Sequence, residues 1–181
     1  MTPRAEWLLG YWFSAPVAAR WFAADPALDR DLADRFQPLV EQALAGGLED
    51  WADTPHGALA LVLLLDQLPR NLWRGGARAF AGDAPARRVA AAAIARGFDR
   101  DLSATERTFL YLPFEHSEDI DDQRQAVSLF RERGTSDGLD WAEKHLAVIE
   151  RFGRFPHRNA ALGRDDTPEE AEFLRRPDSR F

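Results

Sequence analysis

Three stretches of the chain set side chains that can do chemistry between residues apolar enough to be core. They are Asp66-Gln67-Leu68-Pro69-Arg70-Asn71-Leu72-Trp73-Arg74-Gly75, Phe109-Leu110-Tyr111-Leu112-Pro113-Phe114-Glu115-His116-Ser117-Glu118 and Arg151-Phe152-Gly153-Arg154-Phe155-Pro156-His157-Arg158-Asn159, the last reaching Gly163-Arg164. Charge among apolar neighbours is costly unless it is paired and hydrogen-bonded, so these groups must find one another or a ligand. Guanidinium groups grip carboxylates and phosphates through two parallel bonds, which lysine cannot do. Arg70, Arg74, Arg154 and Arg158 therefore predict a site for a small anion or an acidic peptide, with Asp66, Gln67, Asn71, Glu115, His157 and Asn159 around it. His116 with Glu118 is the combination that resembles catalysis, the carboxylate orienting a histidine that acts as general base. The same residues admit a purely structural reading. In it, Asp66 and Glu118 pair with Arg70 or Arg158, and Asn71 and Asn159 cap neighbouring helices.

Several chemistries find no support. There is no H-E-x-x-H pattern, no phosphate loop of the G-x-x-x-x-G-K type and no G-x-S-x-G elbow, so the sequence implies neither a metal nor a cofactor. With no cysteine, disulfides, thiolate zinc sites and cysteine nucleophiles are excluded. Arg and Lys total 23 against 30 Asp and Glu, a net charge of −7 that disfavours nucleic acid as a partner. The longest apolar run, Ala58 to Leu65, is far shorter than the roughly 20 residues of a membrane helix. No secretion signal is visible, and a cytoplasmic protein is expected. His145 reads as a core histidine with one partner, His56 as a surface residue, and the six tryptophans as packing area between helices.

The elements that must position these residues read as helices. At 181 residues one domain over 1–181 is expected, burying roughly 70% of the extended chain's surface. Thr54-Pro55, Asp25-Pro26 and Thr167-Pro168 are N-cap and proline starts, and Ser103-Ala104-Thr105-Glu106 is a capping box. Further starts are predicted at Asp83, at Ser117 with Glu118 and Asp119 in the first turn, and at Asp137 or Asp140. Stops are predicted at Pro69, Gly97, Pro113, Gly134 and Gly153. The helix from Pro55 is apolar on most sides, as a central helix wrapped by neighbours would be. The result is all-α, with seven to eight helices. An internal echo, Leu48-Glu49-Asp50-Trp51 and Leu139-Asp140-Trp141 about 90 positions apart, predicts two equivalent helices with polar loops at equivalent ends.

Across nearly its whole length the chain resembles the bacterial domain of unknown function 924 family. The resemblance rests on Leu64-Leu65-Asp66-Gln67-Leu68-Pro69-Arg70-Asn71, Leu110-Tyr111-Leu112-Pro113-Phe114-Glu115-His116-Ser117-Glu118 and Arg151 to Asn159. Trp21-Phe22, residues 47–51 and Leu162-Gly163-Arg164 followed by Thr167-Pro168-Glu169-Glu170 match as well. It implies a tetratricopeptide-like fold, a right-handed array of antiparallel helix pairs, and it carries no established reaction. Three functions follow as expectations. The first is a binding scaffold using Arg70, Arg154 and Arg158, the second a hydrolase using His116 with Glu118, and the third a structural interaction protein. A homodimer through an aromatic face is also compatible with the sequence.

Overall fold

The capping side chains do set most helix starts. The computed structural model describes residues 1–177 and 179, so residues 178, 180 and 181 of the expected domain lie outside the described residues. Among the described residues there are ten helices and no strand. They are α1 (Pro3–Trp12), α2 (Ala15–Ala18), α3 (Pro26–Leu44), α4 (Pro55–Val62, continuing through Leu63–Gln67 into Leu68–Leu72), α5 (Asp83–Ala95), α6 (Ala104–Glu115), α7 (Ile120–Arg133), α8 (Ser136–Phe152), α9 (Asn159–Leu162) and α10 (Pro168–Phe173). The count exceeds the expected seven to eight because α2 and α9 are single turns of four residues, too short to leave a periodic pattern. The side chains of Asp25, Thr54, Ser103 and Thr167 accept from first-turn amides as expected.

Other boundaries differ, each for a local reason. Gly82 rather than Asp83 is the N-cap of α5, which frees the Asp83 carboxylate for other partners. Asp119 caps α7 and Thr135 caps α8, so Ser117, Asp137 and Asp140 are not the N-caps, and Glu118 and Asp119 precede the first turn rather than lie in it. Pro113 does not end α6, where burial of Phe114 offsets the one backbone bond that proline removes. Nor does Pro69 end α4. Proline cannot donate to the Leu65 carbonyl and its ring would clash there, and a π turn over Leu63–Gln67 widens the helix enough to pass it. The freed Leu65 carbonyl lies against Gly82, where a Cβ would land on its oxygen. Gly82→Ala is thus expected to lose about 1–3 kcal/mol of stability by chemical denaturation, since two backbones must separate. An unchanged midpoint would contradict that approach.

Ala58 to Leu68 are buried almost without interruption, and α4 is wrapped by α1, α3, α5 and α6. Trp12, Phe36, Phe109, Tyr111 and Phe114 are enclosed in the same cluster, each contributing roughly 1.5–3 kcal/mol of apolar burial. Helices α6, α7 and α8 follow one another through short connections and pack in sequence order. A second cluster of Val148, Ile149, Phe155 and Phe173 fastens the C-terminal segment to α8. The internal echo does not become two equivalent helices. Trp51 is buried in a 3₁₀ turn ahead of α4, whereas Trp141 lies inside α8 with 47% of its surface exposed. No helix among the described residues is long and apolar enough to cross a membrane.

Candidate functional site

Helical periodicity brings the three polar stretches to the wall of one cavity of about 750 Å³. Helix α6 contributes a stripe, Thr105, Thr108, Phe109, Leu112 and Glu115, that lies along one face because the residues recur at three and four. Gln67, Arg70, Asn71 and Arg74 come by the same rule from the end of α4, and Gly138, Trp141 and His145 from α8. The segment ahead of α9 brings His157 and Arg158, and the α2–α3 connection brings Trp21 and Phe22. Trp21, Phe22, Phe109, Leu112, Phe130 and Trp141 form an apolar wall, and Arg70, His116, His157 and Arg158 are among the polar groups of the same cavity. A smaller hollow of about 330 Å³ between α3, α4 and α5 has Glu49 and Arg88 as its charged residues and no histidine.

Asp83 organises the basic groups. Its oxygens accept from Arg70 Nη1 and Nη2 at 2.9 and 3.1 Å and from Arg158 Nη1 at 3.4 Å, so one carboxylate holds two guanidiniums. Arg158 is also stacked between Phe80 and Phe155, 4.8 and 4.6 Å from the ring centroids. Its Nε is buried without a partner, and its Nη2 donates to no group among the described residues. Arg70 donates as well to the Asp66 backbone carbonyl at 2.7 Å and lies 3.2 Å from the Asp66 carboxylate.

Asp66 has no exposed surface, and both of its oxygens face His116 Nδ1, at 2.8 and 3.0 Å. Gln67 Nε2 donates to the same carboxylate at 2.6 Å. Burial opposes ionisation of Asp66, but the Arg70 charge and the hydrogen bonds from His116 and Gln67 hold its carboxyl well below the usual carboxylate range. Burial, with Arg70, lowers His116 against the pull of Asp66, so the neutral imidazole is favoured. Behind it, burial pushes Glu115 up to about 8, with the Asp66 charge adding to the effect, and Glu115 carries a proton at neutral pH. Burial likewise lowers His145 to about 3, His157 to about 4 and Arg158 to about 10. His145 Nδ1 donates to the Trp141 carbonyl at 2.9 Å and lies 3.2 Å from Glu115 Oε1.

Residues 8–178 match a family described as a bacterial protein of unknown function, DUF924. The chain belongs to that family. It is also similar to the solved structure of a protein of unknown function, ATU0120, from Agrobacterium tumefaciens, at 42% identity and a TM-score of 0.90, over 95% of this chain and 97% of that one. No curated protein matches it.

In this DUF924 fold, eight of the residues predicted from sequence line the cavity: Gln67, Arg70, Asn71, Arg74, Glu115, His116, His157 and Arg158. Asp66 stands directly behind the wall. Glu118, Arg154 and Asn159 do not line it, because each is engaged elsewhere. Glu118 accepts from Arg164 at 2.7 and 2.9 Å and from the Phe155 amide at 2.8 Å, which corrects both its expected pairing with Arg70 or Arg158 and its expected place beside His116. Arg154 is paired with Glu170 at 2.6 and 2.8 Å, fastening α10. Asn159 donates to Asp166 at 2.7 Å and Asn71 to Asp29 at 2.8 Å, so neither caps a neighbouring helix. Arg74 also meets Asp29, at 2.9 Å, near the cavity mouth.

Sequence reasoning missed Asp83, read as a cap, and Trp21 and Trp141, read as packing. The Trp141–His145 pair at helical spacing was the available signal. Among the described residues, no three His, Cys, Asp or Glu side chains are grouped to hold a metal ion.

Proposed function

We propose that the cavity binds a small molecule with an apolar body and one anionic head, a carboxylate or phosphate. One observation carries this reading: the aromatic wall and the two guanidiniums of Arg70 and Arg158 belong to the same cavity, which is of the size that holds small ligands. Arg158 spends a single long bond on Asp83 and keeps donors in reserve. Arg70 and Arg158 are balanced by Asp66 and Asp83, so a monoanion can approach without repelling a net negative site. The volume of the cavity suits a small molecule better than an acidic peptide.

Calorimetric titration with phenylacetate, benzyl alcohol and acetate tests this. Phenylacetate is expected to bind, and each half-molecule at least tenfold more weakly. Arg158→Gln is expected to weaken phenylacetate at least tenfold, about 1.4 kcal/mol. Equal binding of benzyl alcohol and phenylacetate, or an unchanged affinity in Arg158→Gln, would overturn the reading.

A further inference from the structure

His116 is held far more firmly than pocket lining requires. Its amide donates to the Leu112 carbonyl at 2.8 Å, and Gln123 Nε2 donates at 2.6 Å to the carbonyls of Glu115 and of Ser117 on either side of it. Its ring is clamped at Nδ1 by both oxygens of a fully buried carboxylate that Gln67 fixes in turn. An ionised carboxylate can only accept, so Nδ1 bears the proton and Nε2 the lone pair. Nε2 makes no hydrogen bond among the described residues, and the side chain, 14% exposed, lines the cavity. A histidine with one nitrogen fixed by a carboxylate and the other turned to an open volume is arranged to move a proton. No serine or cysteine lines this cavity, and of its threonines Thr105 and Thr108 stand about two to three turns along α6 from His116 while Thr135 caps α8, so the nucleophile that fits is water.

We propose that this chain hydrolyses a carboxylic ester of an apolar-bodied acid, with His116 Nε2 as the general base and Asp66 as the residue that positions it. This rests on the pocket reading above. Water attacks the ester carbonyl carbon, forming a C–O bond, while its proton passes to Nε2. The negative charge that develops on the carbonyl oxygen is stabilised by the guanidiniums of Arg70 and Arg158. The tetrahedral adduct collapses by breaking the bond to the alcohol oxygen, which takes the proton back from His116. The acid product ionises and is an anion of the class the cavity binds, so the product is a competitive inhibitor.

The test uses the methyl esters of phenylacetic, 3-phenylpropionic and octanoic acids, with acid release followed in labelled water and phenylacetate binding measured by calorimetry on the same proteins. Turnover of at least one ester with label entering the acid is expected. His116→Gln should lower kcat at least 100-fold, with phenylacetate affinity within threefold of wild type. Asp66→Asn should lower kcat with KM kept and move the acid limb of the pH profile downward. Turnover should fall about tenfold per pH unit once His116 is protonated, below its ordinary 6.5. Binding of phenylacetate with no turnover of any of the three esters overturns this inference and leaves the pocket reading intact, as does undiminished turnover in His116→Gln. Absence of phenylacetate binding overturns both.

Discussion

Asp83→Ala should lower the free energy of unfolding by about 3–5 kcal/mol, the range for removing one partner from a buried ionic cluster. The Asp83 carboxylate receives both Arg70 nitrogens and the Nη1 of Arg158, and Arg158 is 6% exposed. Without it Arg70 keeps Asp66, but Arg158 is left between two aromatic rings with no anion within ion-pair distance. The unpaired guanidinium, rather than the lost attraction, supplies most of the effect, because a buried charge cannot recover its hydration. Urea denaturation of the two proteins at one pH measures it. A difference below about 1 kcal/mol, the range typical of exposed pairs, would mean that the cluster is solvated and that the site is not as drawn. An anion such as phenylacetate should stabilise Asp83→Ala more than wild type, since the variant offers it an unpaired arginine.

Glu115→Gln should behave in the opposite way and stabilise the fold above pH 6.5. Glu115 titrates ordinarily near 4.5 and is pushed to about 8 by burial, with Asp66 adding to the effect. Between those values the folded state retains a proton that the unfolded chain has released, so wild-type stability falls as pH rises from 4.5 to 8. At 1.36 kcal/mol per unit, the loss is about 3 kcal/mol by pH 7. Glutamine is neutral throughout and close in shape to the protonated glutamic acid it replaces.

Buried histidines act in the other sense. His145 and His157, at about 3 and 4 when folded against an ordinary 6.5, make the unfolded chain bind more protons below 6.5. Stability is therefore lost on acidification through that window. Wild type should show a maximum near pH 6.5, roughly where the two histidine contributions are complete and the Glu115 loss continues alone. Glu115→Gln should turn the maximum into a plateau on its alkaline side. Chemical denaturation from pH 4 to 9 separates the two shapes, and parallel curves would show that Glu115 is ionised in the folded protein.

Much of the scaffold was legible because it is encoded locally. A threonine, serine or aspartate ahead of a proline or a glutamate fixes a helix start within a few residues, so Thr54, Asp25, Ser103 and Thr167 could be assigned without knowing their neighbours. The unbroken apolar run around Leu59 to Leu65 likewise predicted a wrapped helix, and α4 is one. Prolines were misread at Pro69 and Pro113 because ending a helix and deforming it differ by a few kcal/mol, and burial of Leu68 and Phe114 supplies that difference. The gathering of eight of twelve candidate residues at one cavity followed from a single rule, that charge among core residues must find partners.

What tertiary structure alone decided is which partner each charge took. The residues that face His116, Arg158 and Glu118 are Asp66, Asp83 and Arg164, at separations of 50, 75 and 46 positions. Nothing in the local pattern singles out Asp66 as the orienting carboxylate, since Glu118 is two positions from His116 in the chain and Asp66 is 50 positions away. The choice was made by the π turn that swings Asp66 inward and by the amide of Phe155, which with Arg164 engages Glu118. Helix starts are short-range and additive and so appear in sequence, whereas ion pairing in a core is settled by distances of a few ångströms between segments that meet only after packing.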